Sequence, residues 1–282
     1  MKTVECYRHP PFKTNKITLG TKEWADLNVN CMSGCYNNCR YCYAKLMAKR
    51  FGRHTDDSWP KMKIRTNILR RSFKRFAGRV MFPSTHDIFD FEPFKKACFE
   101  TLNKLLSSGN RVLVTTKPRL PVVEGIVSEF REYIGQLQFR FTITSKNEEL
   151  LSFWEPNAPS YEERLASLRF AHKEGFRTSV SIEPFLDYDP SELVRELLPF
   201  TTESIWIGRM NYITTNGLSD DEKPYYNIVR TNYETKHLWE VFLKLHLRPK
   251  TRFKDSVVNQ FARASRGENL PWFAPALLAH EL

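Results

Sequence analysis

The 282-residue sequence has no run of about eighteen apolar residues, so no membrane-spanning helix is expected. Glycine and proline, at 11 and 16, are too scarce for a collagen-like or low-complexity chain. There is no internal repeat and no linker that splits the chain. The opening Met1-Lys2-Thr3-Val4-Glu5-Cys6 lacks the apolar stretch of a secretory leader, so a cytoplasmic protein is expected. Six cysteines in a reducing compartment exclude a disulfide scaffold and leave thiols free to bind metal. What is present is ordinary globular usage, 41% apolar, 13% aromatic and 27% charged.

Positive charge is concentrated. The net charge is +11, and segment 45–79 holds twelve basic residues against Asp56 and Asp57, or +10 on its own. Such a cluster attracts polyanions. Phe51, Trp59, Phe73 and Phe76 are interleaved with it and are candidate stacking surfaces for unpaired bases. DNA or RNA is therefore the candidate partner of this segment. The competing reading is a solvated face whose rings turn into the core.

Hydrophobic periodicity alternates strand and helix. Strands are predicted at 25–30, 79–83, 111–115, 138–144, 178–182 and 204–208, and helices at 43–51, 93–106, 121–134, 160–174 and 234–247. Ser160 and Glu163 predict a capping box, Gly175 the end of that helix, and Asp189-Pro190-Ser191-Glu192 the start of another. Six strands with helical crossovers imply an α/β fold with a parallel sheet. A complete eight-unit barrel takes about 250 residues, whereas the spacing here uses up the chain after six units. A partial (β/α)6 barrel over 25–215 is predicted, with an N-terminal extension (1–24). A C-terminal helix and tail (216–282) carry Tyr225, Tyr226, Tyr233 and Leu270-Pro271-Trp272-Phe273, to cover the barrel or meet a partner. In such folds the chemistry lies beyond the carboxyl ends of the strands.

Four cysteines fall in that position after the first strand: Cys31, Cys35, Cys39 and Cys42. A structural zinc site would use four thiolates, usually as two separated pairs, and one contiguous loop suits it poorly. A disulfide pair conflicts with the compartment. The third reading is an iron–sulfur cluster wrapped by short-spaced thiolates. Cys35, Cys39 and Cys42 form C-x3-C-x2-C and would supply three ligands to four irons, leaving one iron open.

This loop, with Tyr41 before its last cysteine, resembles the radical S-adenosylmethionine (SAM) superfamily. A narrower resemblance, to the spore-photoproduct-lyase-like branch, rests on Gly34-Cys35 through Tyr41-Cys42-Tyr43-Ala44 and on Ser84-Thr85-His86-Asp87-Ile88. It continues with Thr115-Thr116-Lys117-Pro118, Trp154-Glu155-Pro156-Asn157-Ala158-Pro159, Ser181-Ile182-Glu183-Pro184 and Trp206-Ile207-Gly208-Arg209-Met210-Asn211. Together they span about residues 25 to 215.

The resemblance implies a 4Fe–4S cluster on Cys35, Cys39 and Cys42 and SAM as cofactor. A 5′-deoxyadenosyl radical would abstract hydrogen from substrate, with the electron coming from a flavodoxin- or ferredoxin-type donor. Lys117 would pair with the SAM carboxylate and Thr142 would offer a hydroxyl. Tyr41 and Tyr43 would border the adenine and the path to substrate. Glu183 and Asn211 are SAM or substrate contacts, with Arg209 a candidate partner for Glu183. His86 and Asp87 would meet the SAM amine or substrate, or form a structural pair. Spore photoproduct lyase carries a hydrogen-donating cysteine where Ser84 stands. A hydroxyl O–H bond is too strong for that role, so the same dimer reversal is not implied. Cys31 is surplus and reads as strand-end packing, and Cys98 and Cys6 as structural.

The reading is a radical SAM enzyme acting on an anionic substrate, nucleic acid first, in repair or modification. A peptide or small-metabolite substrate, or a non-catalytic zinc-stabilised nucleic-acid-binding protein, are the alternatives.

Overall fold

The computed structural model describes residues 20–267. A 3-10 turn, Gly20–Glu23, leads into the short strand β1 (Leu27–Asn28). Then come β2 (Met32–Ser33), α1 (Tyr43–Arg50) and β3 (Lys63–Ile64), with β2 and β3 paired antiparallel as a ribbon. After α2 (Thr66–Leu69) the chain alternates β4 (Arg79–Phe82), α3 (Phe94–Ser107), β5 (Arg111–Thr116), α4 (Leu120–Glu129) and β6 (Leu137–Thr142). Two helices follow, α5 (Glu148–Trp154) and α6 (Tyr161–Lys173), then β7 (Arg177–Ile182), α7 (Ser191–Leu197) and β8 (Ile205–Ile207). The chain closes with α8 (Lys223–Asn232), α9 (Thr235–Leu245), β9 (Thr251–Phe253) and α10 (Asp255–Gly267).

The main sheet has the order β1-β4-β5-β6-β7-β8-β9, and every pair in it is parallel. Strand order follows chain order, the single winding of a (β/α) barrel rather than the reversal of a doubly wound sheet. All six expected strands form. A seventh, β9, extends the sheet beyond residue 215, so the segment taken as a C-terminal cover also supplies a barrel strand. The sheet edges are β1 and β9. Side chains bridge them: Lys254 pairs with Glu23, and Asp255 Oδ2 accepts from Gly20 N (2.8 Å).

Alternation along the strands separates two cores. Val80, Phe82, Val112, Val114, Phe139, Phe141, Val180 and Ile182 face outward into the large helix-covered core. The inward set is small and mixed: Trp24, Ala25, Met81 and Leu113 cluster there, with Trp206 against them. Arg140 lies over Trp24 (4.4 Å) and Trp206 (5.6 Å), and burial lowers its pKa to about 9. At α6, Ser160 Oγ accepts from Glu163 N as expected, but the Glu163 carboxylate accepts instead from Leu120 N at the start of α4. Half of the capping box thus became an inter-helix tie. No helix among the described residues is long and apolar enough to cross a membrane.

Candidate functional site

The cysteine loop lies beyond the carboxyl ends of β1, β4 and β5. Gly34 opens it at φ +90°, and a Cβ there would come 2.5 Å from the Trp59 carbonyl oxygen, so conformation and space both require glycine. Cys35 N donates to that same carbonyl (3.0 Å), Asn38 N to Cys35 O (3.2 Å) and Cys42 N to Cys39 O (3.3 Å). Cys35 packs with Ala44, Ala48, Trp59 and Phe89, and Cys42 lies against that cluster. Burial raises all three thiol pKa values, that of Cys39 to about 12 against the opposing Lys117 ammonium. For Cys35 the charges of Asp87, Cys39 and Cys42 add to the burial effect.

The segment after α5 clamps this loop. Arg40 N donates to Trp154 O (2.9 Å) and Arg40 Nε to Phe153 O (2.8 Å). Asn157 Nδ2 donates to Tyr36 O (2.9 Å), and Arg119 Nη2 reaches both Asn157 O (2.7 Å) and Asn37 Oδ1 (2.9 Å). Tyr41 donates its hydroxyl to Glu155, whose Oε1 also accepts from Thr144 (2.7 Å). Glu155 and Arg164 are wholly buried and form an ion pair at 2.5 Å, with Lys117 Nζ 3.9 Å from Glu155. Burial works against the Glu155 charge, but Arg164 and Lys117 outweigh it and hold the carboxyl below its ordinary range. From outside, Tyr225 of α8 stacks on Phe153 (3.9 Å), Tyr226 packs on Trp154 (4.8 Å), and Glu222 pairs with Arg40 (2.6 Å).

The expected site residues fall into three groups. Tyr41 and Lys117 sit with the cysteines, the ammonium 5.4 Å from the Tyr41 ring centroid. Tyr43, Ser84 and Glu183 form a second group: Tyr43 donates to Ser84 O (2.9 Å), and the charges of Cys42 and Glu183 both act on Tyr43. Burial leads in raising Tyr43 to about 12 and Glu183 to about 7, with Lys254 and Arg140 opposing the latter and Asp255 and Glu23 adding to it. Thr142 follows Gln138 and Arg140 on the inward side of β6, and Asn211 is exposed beyond β8.

The third group is engaged elsewhere. Asp87 is buried and its oxygens accept from Asn37 (2.6 Å), Ile88 N (2.8 Å), Lys117 N (3.0 Å) and Thr116, tying the cysteine loop to β5. His86 is buried, with Nδ1 2.9 Å from Asp87 O and Nε2 3.9 Å from Cys31 Sγ. Cys31 lies in the outer core, 3.7 Å from Cys98 Sγ, away from the other three cysteines. Arg209 is not the partner of Glu183: its guanidinium donates to Ser256 O (3.0 Å), because α10 lies beside β8. Of the aromatics in 45–79, Trp59 and Phe73 are core residues, and Phe51 is exposed with Arg53 5.7 Å from its ring centroid. Leu270-Pro271-Trp272-Phe273 and Cys6 lie outside the described residues.

Sequence reasoning missed Glu155, Arg164, Arg119 and Asn37. The available signal was a glutamate between Trp154 and Pro156 closing an apolar segment, with Arg164 nine positions on.

A family model described as the radical SAM superfamily matches residues 29–200. Over 210 residues the chain is 29% identical to the uncharacterized protein ORF301 of Acidianus two-tailed virus, covering 67% of this chain and 66% of that one. Over 175 residues it is 25% identical to the uncharacterized protein MJ0683 of Methanocaldococcus jannaschii, covering 61% and 66%. The chain thus spans about two thirds, 66%, of the length of these curated relatives. Among solved structures, a spore photoproduct lyase variant with dinucleoside spore photoproduct superposes with TM-score 0.52 at 15% identity, covering 80% of this chain and 75% of that one. A cysteine-to-serine variant of that lyase gives 0.51 at 15%, covering 86% and 80%. At this identity the likeness is one of fold.

Proposed function

The chain belongs to the radical SAM superfamily, and from that premise we propose that Cys35, Cys39 and Cys42 hold a 4Fe–4S cluster with one iron open to SAM. The donor set fits such a group. Three short-spaced thiols share one loop, Cys35 and Cys39 buried and Cys42 partly so, and the Lys117 ammonium acts on Cys39 and Cys42 in the direction of the thiolate that iron binds, against the effect of burial. Bound there, the cluster would supply a low-potential electron to the SAM sulfonium, giving a 5′-deoxyadenosyl radical that takes a hydrogen atom from substrate.

The chain's own residues orient and shield that chemistry. Trp59, Phe89 and the α1 alanines exclude water on one side of the loop, and the clamp from α5 fixes the other. The Lys117 ion pair with Glu155 spans 3.9 Å, which leaves its N–H donors for the carboxylate of SAM. Thr142 and Asn211 are the adenosyl contacts in this reading. Tyr43, Ser84 and Glu183 face the substrate, and the Glu183 carboxyl, with its pKa near 7, holds or releases a proton close to neutrality.

The substrate we propose is nucleic acid. Lys45, Lys49 and Arg50 follow the loop directly on α1, and the exposed Phe51 with Arg53 continues that basic surface. The shared fold with a lyase solved with a dinucleoside photoproduct makes damaged or single-stranded DNA the first class to test. Ser84 in place of a thiol separates the outcome from dimer reversal and favours modification or another repair step. The electron donor is of flavodoxin or ferredoxin type.

The observation that carries the proposal is the loop of three short-spaced thiols clamped by the segment around Glu155. The test is anaerobic reconstitution followed by chromatography of SAM products. Wild type yields 5′-deoxyadenosine under reduction, more with oligonucleotide present, and Cys39→Ala yields none. A wild-type protein that binds no iron, or a Cys39→Ala variant with full iron, rejects the ligand assignment. Oligonucleotides without effect reject only the substrate.

A further inference from the structure

A second charged cavity lies at the opposite end of the barrel. It has a volume of about 320 Å³ and is lined by Lys22, Arg79, Arg111 and Arg177, together with Gln136 and Gln138. Arg79, Arg111 and Arg177 are the first residues of β4, β5 and β7, so they sit at the amino ends of strands whose carboxyl ends face the cysteine loop. Each precedes an outward apolar position or shares the alternation of inward residues such as Met81, Leu113 and Ser179, which aims all three into the barrel. The six residues of β5 put about 20 Å between the two ends.

Here the chain gathers like charges without matching opposite ones. Arg79 and Arg111 are direct register partners on neighbouring strands, an unfavourable placement for two cations. Arg79 is held by Trp24 O (2.8 Å) and Gln138 Oε1 (2.9 Å), and Arg177 by Gly135 O (3.1 Å), so carbonyl oxygens and not carboxylates fix them. The Arg111 side chain has no hydrogen bond or ion pair among the described residues and is exposed to the cavity mouth. Two carboxylates share the lining, and both are engaged: Glu23 pairs with Lys254, and Asp26 accepts from Arg79 N (2.8 Å). Glu203, the other carboxylate in reach of Arg79, is exposed. A concave, polar, cation-rich recess of this size matches a small ligand better than a helix of nucleic acid.

We propose that this cavity binds a small phosphate-bearing anion, inorganic pyrophosphate or the phosphate end of a nucleotide. Arg111 and Arg177 are its principal donors, and Arg79 and Lys22 add field. Planar guanidinium groups bind tetrahedral oxyanions through paired, charge-assisted hydrogen bonds. The anion would relieve the repulsion between the register-paired arginines. The site is independent of the cysteine loop, so it stands or falls apart from the radical chemistry.

The test is calorimetric titration of the reconstituted full chain in phosphate-free buffer. The titrants are pyrophosphate, adenosine monophosphate and a single-stranded oligonucleotide. The expected result is saturable one-site binding of pyrophosphate or the nucleotide, weakened at least about tenfold in Arg111→Gln. Arg177→Gln should weaken it similarly, and Lys236→Gln, at an exposed position of α9, should not. Iron content stays unchanged in all three variants, which separates this site from the cluster site. Pyrophosphate and nucleotide that do not bind, or bind Arg111→Gln as tightly as wild type, overturn the proposal. So does binding of the oligonucleotide alone, which would make the arginines a polymer contact.

Discussion

Replacing Glu155 by glutamine should be among the most destabilising isosteric changes in this chain. The side chain is wholly buried, as is Arg164 at 2.5 Å, and Lys117 Nζ lies 3.9 Å away. Glutamine keeps an acceptor for Tyr41 and Thr144, so size and hydrogen bonding are nearly preserved. What is lost is the carboxylate charge that faces both the buried Arg164 and Lys117. Removing one partner of a buried pair costs about 3–5 kcal/mol, since the remaining charge stays desolvated. Against a typical total of about 5–15 kcal/mol the variant should still fold, with Tm lowered by roughly 6–20 °C. Urea and thermal denaturation of the cluster-free protein would measure this. The double variant Glu155→Gln/Arg164→Met removes both charges, and should be more stable than the sum of the single losses by at least about 1 kcal/mol. A loss below about 1 kcal/mol for Glu155→Gln, or strict additivity in the cycle, would refute the buried-network account.

Two further outcomes follow from Glu183 and its neighbour. The Glu183 carboxyl is raised from 4.5 to about 7, first by burial, so the folded protein holds this proton more tightly than the unfolded chain. Its contribution to stability is therefore full below pH 4.5 and lost as pH rises through 7, at most about 3 kcal/mol. Glu183→Gln should flatten the stability profile between pH 5 and 8, and an unchanged slope would assign the titration to another group. A Cβ at Gly208 would lie 2.7 Å from Glu183 Cγ. Gly208→Ala should cost about 1–3 kcal/mol in denaturant titration, and no loss would mean that Glu183 swings freely.

The parts of the fold legible in sequence were those with continuous or alternating apolar residues. Arg79–Phe82, Arg111–Thr116 and Leu137–Thr142 carry apolar positions wherever they face the helices, and they emerged within two residues of expectation. β9 did not, because Thr251-Arg252-Phe253 is three residues long with one apolar side chain, and pairing with β8 makes it a strand. α5 and α8 were also missed; α8 buries only Tyr226, Val229 and Asn232, too sparse an apolar stripe to stand out.

At the site, the cysteine spacing stood out in the sequence itself and Lys117 came only from the resemblance; the structure sets that ammonium against Cys39 and the Tyr41 ring. Glu155 was not readable, since its role depends on a hydroxyl 114 positions away and on Arg164 from the next helix. Asp87 was read as a contact to the SAM amine or substrate or as a structural residue, and the four donors on its oxygens give it a structural engagement. Sequence can flag an acid at a strand end, but only coordinates show whether its lone pairs are already taken.

The most direct test of the central claim is the low-temperature electron paramagnetic resonance spectrum of the reduced, reconstituted protein, recorded with and without SAM. Three cysteine ligands and one open iron predict a 4Fe–4S signal whose g-values shift when SAM is added. A reduced cluster whose spectrum is indifferent to SAM, or a protein that forms no such cluster, would contradict it.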